Sequence, residues 1–366
     1  MDPLRVAFWN LQNLFDAQAS EIAADLEFTP ENGWTAEVVT AKIDALVEVV
    51  ATMFDGNGPD LFGICEIENR ALVERFTNAL NTRLGRTDLI FAHDEAEDLR
   101  GIDCSLIYSG DLFELAGDPI GHVAFLRFQT RDIFEVPLRV KETGAELVVF
   151  VNHWPSRSRG QAESEAYRIT VASHLARRVD ATLKLPRAEV VAPDNLEDIA
   201  GALDTAWNRN VLVMGDLNDD PFDRSVLSEL TATNSIDKIE EELPAPGSGD
   251  EARARYLRRR ATLFNLSWPP LAVPGEGTIF FSRNTVRTKQ VFDQIIVSRG
   301  LLLGRQGLIT DPAEFAIHTP KIMWTNPSQS DDAPRHLVRP KRFDVETRRG
   351  SSDHFPVLCQ IRGAGV

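Results

Sequence analysis

Side chains able to do acid–base or metal chemistry fall repeatedly where an apolar run ends. Asn10 and Asn13 follow the run 5–9, and Glu66 closes 61–65. His153 closes 148–151, in Val151-Asn152-His153-Trp154-Pro155. Asp216 and Asn218 follow 211–214, Asp293 lies inside 291–297, and Ser352-Asp353-His354 precedes the last apolar run. Polar groups at the same ends of several strands of a layered α/β fold converge on one pocket. Carboxylates gathered there suit a hard, oxygen-seeking cation such as magnesium. Such an ion neutralises developing charge and sharpens a water nucleophile. A carboxylate can orient or deprotonate that water, a histidine can hold or protonate phosphate oxygens, and a buried Asp beside a His raises the imidazole pKa. The set points to metal-assisted hydrolysis of a phosphate ester. Singly, each residue has a plainer reading: Glu66 as a cap, Asp216-Leu217-Asn218 as an Asx turn, His153 as a satisfied neighbour of Trp154.

The elements that must position these groups are legible from periodicity. Val39, Ile43, Leu46, Val47, Val50 and Phe54 repeat at helical spacing and predict a helix over 36–55, broken by Gly56-Asn57-Gly58-Pro59. Further helices are predicted over 71–84 and 163–183, and strands near 89–92, 104–108, 134–140, 147–151, 211–214, 291–297 and 355–361. Helices interleaved with many short strands imply an α/β fold with mixed sheets. Residues 1–366 read as a single domain with insertions near 240–275 and 310–350. The first insertion carries Pro244, Pro246, Pro269, Pro270 and Pro274 around a basic helix, 253–260.

A formal charge of −16 and a pI near 4.9 exclude a protein that coats nucleic acid by bulk electrostatics. They leave room for an enzyme with a local basic rim. Two arginine groups offer one, at 253–260 and in the stretch Arg335, Arg339, Lys341, Arg342, Arg348 and Arg349. Trp324 and Phe343, beside the second, are candidates for base stacking, with packing within the loop the stronger expectation. No apolar run reaches the roughly 18 residues of a membrane helix, and no signal-peptide pattern opens the chain. A cytoplasmic protein without a membrane or obligate protein partner is expected. Cys65, Cys104 and Cys359 each sit in an apolar run and are expected to be core thiols.

The order of the motifs resembles the endonuclease/exonuclease/phosphatase (DNase I-like) superfamily. Those motifs are Phe8-Trp9-Asn10-Leu11-Gln12-Asn13, Ile64-Cys65-Glu66, Arg100-Gly101-Ile102-Asp103, Asn152-His153-Trp154-Pro155, Gly215-Asp216-Leu217-Asn218, Phe292-Asp293-Gln294 and Ser352-Asp353-His354-Phe355-Pro356. The resemblance implies a four-layer α/β/β/α sandwich of two packed mixed sheets with outer helices. It implies Glu66 as the principal metal ligand, with Asn10 and Asp353 at the metal site. Asp216 would orient water, Asn218 and His153 would contact phosphate, and Asp293 with His354 would stabilise the transition state. Asn13, Arg100, Arg157 and Arg168 are the candidates for holding substrate, with Arg159 close by. Gln12 stands where many members carry an acid, which implies one Mg2+ ion (Mn2+ able to substitute) rather than two. The function implied is a nuclease cutting DNA or RNA. The alternatives are hydrolysis of a small or lipid phosphate ester and, less in keeping with the presence of Glu66, Asp216 and His354, a non-catalytic binding protein.

Overall fold

Along the strand β1 (Leu4–Leu14), Val6 and Phe8 face one apolar core while Ala7 and Trp9 face another. This is the two-residue alternation of a strand buried on both sides. The computed structural model describes all residues except 19–26, 97, 125, 127–129, 159, 193–198, 242–249, 284–285, 327–329, 331–337 and 365–366. Arg159, Pro244, Pro246 and Arg335 therefore lie outside the described residues. After β1 come β2 (Leu61–Ile67), β3 (Leu89–His93), β4 (Asp103–Ser109), β5 (Phe113–Leu115), β6 (Ile120–His122), β7 (Ile133–Val140) and β8 (Glu146–His153). The chain continues through β9 (Asn210–Asp216), β10 (Ala232–Thr233), β11 (Leu263–Asn265), β12 (Ile279–Arg283) and β13 (Val286–Gln290). It ends with β14 (Asp293–Val297), β15 (Leu308–Thr310), β16 (Ala316–Ile317) and β17 (Val357–Gly363).

These strands form two mixed sheets. One has the order β15-β17-β1-β2-β4-β3, with β16 on β17; the other has the order β10-β11-β14-β9-β8-β7-β5, with β6 on β7. Their inner faces share a core in which Val6, Phe8 and Leu106 meet Val149, Leu212, Met214 and Ile295. Helices α1 (Ala36–Val50) and α2 (Arg70–Leu84) cover the outer face of the first sheet, Val39, Ile43 and Phe76 joining Ala7, Trp9 and Ile64. Helix α3 (Gln161–Leu183) covers the second, packing Val171, Leu175 and Val179 on Phe150, Val213 and Ile296. Each fully buried aliphatic or aromatic side chain contributes about 1.5–3 kcal/mol. The four-layer sandwich implied by the motifs is the observed architecture.

Local differences have local causes. The helix predicted over 36–55 stops at Val50, because Phe54 and Asp55 adopt left-handed φ of 49° and 55°. The last strand begins at Val357, after Pro356, which has no N–H for a ladder bond. The stretch 240–275 is not wholly an insertion: β11 within it pairs with both β10 and β14 in the second sheet. From the stretch 310–350, Met323, Trp324, Val338 and Phe343 are buried in the outer core of the first sheet. Trp324 and Phe343 are therefore packing residues and not platforms for bases. All three cysteines are free and buried, as expected.

The close pairing of β8 with β9 depends on Gly215. A Cβ built there would lie 2.4 Å from the Asn152 carbonyl oxygen of the neighbouring strand. Gly215→Ala is expected to cost about 1–3 kcal/mol through strand displacement, seen as a Tm several degrees lower. A wild-type Tm for this variant would show that the strands have slack.

Candidate active site

Two sheets deliver side chains to one cleft from the ends of adjacent strands. In the second sheet, Asp216 of β9 stands opposite His153 on parallel β8 and opposite Asp293 on antiparallel β14. In the first, the register of β1 against β2 slips between Asn10 and Leu14, and that of β2 against β4 slips between Cys65 and Ile67. Such bulges re-aim side chains that a regular strand would turn into the core. Gln12, Asn13, Glu66 and Asn218 hold left-handed φ of 54°, 53°, 61° and 51°. Each costs of the order of 1 kcal/mol or more for a residue with a Cβ. Site hydrogen bonds offset that cost: Gln12 N donates to Asn10 Oδ1 (2.9 Å), Asn13 N to Glu66 Oε2 (2.8 Å) and Asn218 N to Asp216 Oδ1 (3.0 Å).

Asp216, 2% exposed, is the meeting point. Its Oδ2 accepts from Asn10 Nδ2 at 3.0 Å and lies 3.8 Å from both His153 Nε2 and His354 Nε2. His354 Nδ1 is 2.8 Å from Asp293 Oδ2. Asp293 Oδ1 is buried without a hydrogen-bond partner among the described residues, so its charge is answered chiefly by His354. Burial opposes charge on His354, but Asp293 and Asp216 outweigh it and hold the imidazole well above its ordinary pKa. Burial, and then the charge of Asp293, push Asp216 up to about 7 against the opposing pull of His354. The loop is tied down by Ser352 Oγ donating to Asn10 O (2.7 Å) and Trp9 Nε1 donating to His354 O (2.8 Å).

His153 is buried and neutral. Arg131 lies across its ring, with Nε 3.2 Å from Nδ1 and Nη2 2.9 Å from Nε2, and a guanidinium has only donors to offer. Burial first, then Arg131, Arg100 and His354, hold its pKa well below the ordinary value. Arg131 is itself 3.6 Å from Asp98. No apolar pattern or motif marks Arg131 in the sequence; only the fold brings it across to β8.

The donor set suits a hard divalent cation. Glu66 and Asp353 line the same cleft of about 770 Å3, beside Asp216 and Asn13. Burial pushes the Glu66 carboxyl up, but Arg100, His354, Asn10 and Arg131 together hold it below the ordinary range, and thus ionised. Asn10 enters differently from the expected ligand. Its Oδ1 accepts from Gln12 N, and its Nδ2 faces Glu66 Oε1 (3.2 Å) as well as Asp216, so its amide orients the carboxylates. Gln12 likewise turns its Oε1 to Phe343 N (3.1 Å).

The expected substrate residues divide. Arg100 lies in the cleft, its Nη2 2.5 Å from Asn13 Oδ1 and its Nη1 3.9 Å from Glu66. Arg157 reaches the cleft, but its guanidinium is committed to Asn218 O, Asp219 and Asp223, so it holds the Asn218 loop and has no fork free for phosphate. Arg168 is not in the cleft. It is fully buried, bonded to Ser164 Oγ and Gln161 O and ion-paired with Asp219 at 2.7 Å, and it braces the start of α3. Of the described basic residues in 253–260 none lines the cleft, whereas Arg342 does, 3.3 Å from Asp353. The β12–β13 hairpin, absent from the sequence reading, forms one wall through Ile279, Phe281, Thr288 and Lys289. It is fixed to the loop that carries His354 by Phe355 N donating to Thr278 O (2.8 Å).

A family model described as Endonuclease/Exonuclease/phosphatase family matches residues 5–245, and the chain belongs to that family of phosphoesterases. The match stops before Asp293 and His354, which the fold returns to the same strand ends. The chain is similar in fold to an endonuclease/exonuclease/phosphatase family protein from Bacteroides thetaiotaomicron, at 13% identity and a TM-score of 0.52, covering 100% of both chains. It is similar also to the mannosyl-6-phosphatase Bt3783 of Bacteroides thetaiotaomicron VPI-5482 (14% identity, TM-score 0.51, covering 99% of this chain and 100% of that one). A third likeness is to D. rerio TDP2 complexed with single strand DNA product (13% identity, TM-score 0.50, covering 99% and 100%). No curated protein matches the chain.

The depressed pKa of His153 has a measurable sign. In the folded protein it stays neutral below 6.5 while the unfolded chain protonates there, so its contribution to stability is complete above 6.5 and is lost as pH falls below it. In EDTA, the His153 ring resonances are expected to show no midpoint near 6.5, and Arg131→Met is expected to move the midpoint upward. An unmoved titration would remove Arg131 as a cause.

Proposed function

We propose that this member of the endonuclease/exonuclease/phosphatase family is a divalent-metal-dependent phosphodiester hydrolase, a nuclease acting on DNA or RNA. Glu66 and Asp353 are the residues that would hold Mg2+, or Mn2+ in its place, with Asn10 orienting Glu66. The bound cation supplies charge stabilisation to the phosphate. Asp216 orients the attacking water and takes its proton at Oδ2, a role suited to a carboxyl raised to about 7. His354, held protonated by Asp293, presents Nε2 to the phosphoryl oxygens. Neutral His153 contacts the phosphate beside Asp216, with Arg131 holding its ring from behind the cleft wall. Asn218 binds phosphate beside Asp216. The observation that carries this reading is the convergence of Asn10, His153 and His354 on the single oxygen Asp216 Oδ2.

A polymer substrate is favoured by the walls of the cleft. Phe222 and Phe281 line it while 54% and 36% exposed, and Arg100, Lys289 and Arg342 edge it with positive charge. Aromatic faces beside cations are how single-stranded nucleic acid is gripped without sequence preference. The second reading, a small or lipid phosphate ester, draws on the net charge of −16, which repels a polyanion outside the cleft. The fold is shared by a mannosyl-6-phosphatase and by a protein crystallised with a DNA product, so fold alone does not choose between them.

Single-stranded DNA, RNA, plasmid, bis-p-nitrophenyl phosphate, a sugar phosphate, an inositol polyphosphate and sphingomyelin, each with magnesium and then EDTA, separate the readings. Polymer cleavage that EDTA abolishes is expected. The double variant Phe222→Ala/Lys289→Ala is expected to lower kcat/KM on the polymer by about 10-fold or more, with bis-p-nitrophenyl phosphate hydrolysis unchanged. Activity confined to small esters would establish the second reading, and hydrolysis unaffected by EDTA would remove the metal.

A further inference from the structure

A second cluster of metal-ligating side chains lies outside the cleft, on the neighbouring strand ends of the first sheet. His93 ends β3, Glu95 follows it, and Asp103 begins β4. One nitrogen and two carboxylate oxygens from these three lie within 4.8 Å of one another, the only such grouping among the described residues. None of the three lines the catalytic cleft.

The feature that points to a ligand is His93. Its side chain is 1% exposed, and Nε2 is buried without a hydrogen-bond partner among the described residues. That nitrogen faces Glu95 Oε1 at 3.3 Å and Asp103 Oδ2 at 3.7 Å. Ligand atoms on a tetrahedral ion with bonds of about 2.0–2.2 Å stand roughly 3.3–3.6 Å apart. The 3.3 Å separation falls in this range, the 3.7 Å separation just outside it, and both are long for a strong hydrogen bond. The supporting contacts are those of a built site. His93 Nδ1 is 2.7 Å from Ser105 Oγ, which fixes the ring and lets Nε2 carry the lone pair. Asp103 Oδ1 accepts from Ala96 N (3.0 Å), leaving Oδ2 for the cluster, and Glu95 Oε1 accepts from Arg70 N (3.0 Å). Glu95, 59% exposed, leaves one side open to solvent for water as a further ligand.

We propose that His93, Glu95 and Asp103 form a binding site for a borderline divalent transition metal of the zinc class, separate from the catalytic cation. One imidazole nitrogen with two carboxylates suits zinc better than magnesium, which prefers oxygen alone. The site clips the end of β3 to the start of β4. Between those clipped ends the chain carries Asp98, which pairs with Arg131, and Arg100, which reaches Asn13. Metal here would fix the segment that carries Arg100 into the catalytic cleft and that pairs with Arg131 through Asp98.

The test uses the full chain, stripped with chelator and then held in excess magnesium. Zn2+ binding is measured by equilibrium dialysis, and Co2+ by its visible absorption. Wild type and Glu66→Gln are expected to retain one Zn2+ per chain. His93→Gln is expected to weaken Zn2+ binding by roughly 100-fold, and Glu95→Gln, a change at an exposed side chain that leaves the core intact, by about 10-fold or more. No Zn2+ retained by wild type, or binding unchanged in Glu95→Gln and His93→Gln, overturns the proposal. Zn2+ lost in Glu66→Gln would also overturn it, by placing the ion in the catalytic cleft. Should His93→Gln fail to fold, the Glu95→Gln arm decides.

Discussion

A carboxylate buried where two sheets meet is the constraint on which the rest of this site depends. Asp216 cannot be ionised at that depth without partners, since an isolated buried charge is far costlier than the packing around it can offset. The partners come from three strands and one loop: Asn10 from β1, His153 from β8, Asp293 from β14 and His354 from the loop before β17. Register fixes two of them. His153 and Asp293 are the residues opposite Asp216 on its two neighbouring strands, so a slip of one residue in either ladder would turn them to the far face. Gly215 permits the close approach that this pairing needs.

Charge is then divided between two histidines of opposite character. His354 sits between Asp293 and Asp216 and keeps its proton; His153 sits under Arg131 and lacks one. The two imidazoles face the same Asp216 oxygen, one as cation and one as neutral ring. Environments that push like groups apart are how acid and base roles are assigned at one pH. The left-handed backbone at Gln12, Asn13, Glu66 and Asn218 belongs to the same design, because strain of this kind persists only where surrounding bonds over-determine it.

Most of the layered fold was legible because its strands are buried on both faces and read as short apolar runs, while α1, α2 and α3 show helical periodicity. The strand-end residues Glu66, His153, Asp216 and Asp293 were legible for the same reason, as polar breaks in apolar runs. Arg131 was not, since its partner is 22 residues away and nothing local selects it. Nor was the burial of Arg168, because a basic residue in a polar stretch gives no sign of its tertiary partner. The β12–β13 hairpin escaped because Phe280, Phe281 and Val286 are too few and too interrupted to mark two strands. The side on which Asn10 presents its amide is likewise a tertiary fact, set by Gln12 N and two carboxylates.

The most direct measurement is the turnover of Asp216→Asn on the best substrate found, beside its Tm. Asparagine keeps the shape and can still hydrogen-bond, but it cannot take a proton from water or balance His354. A fall in kcat of about 10²–10⁴-fold, with the fold retained, is the result expected of a carboxylate at the centre of the chemistry. A folded Asp216→Asn protein that keeps most of its metal-dependent activity would contradict it and move the reaction elsewhere in the cleft.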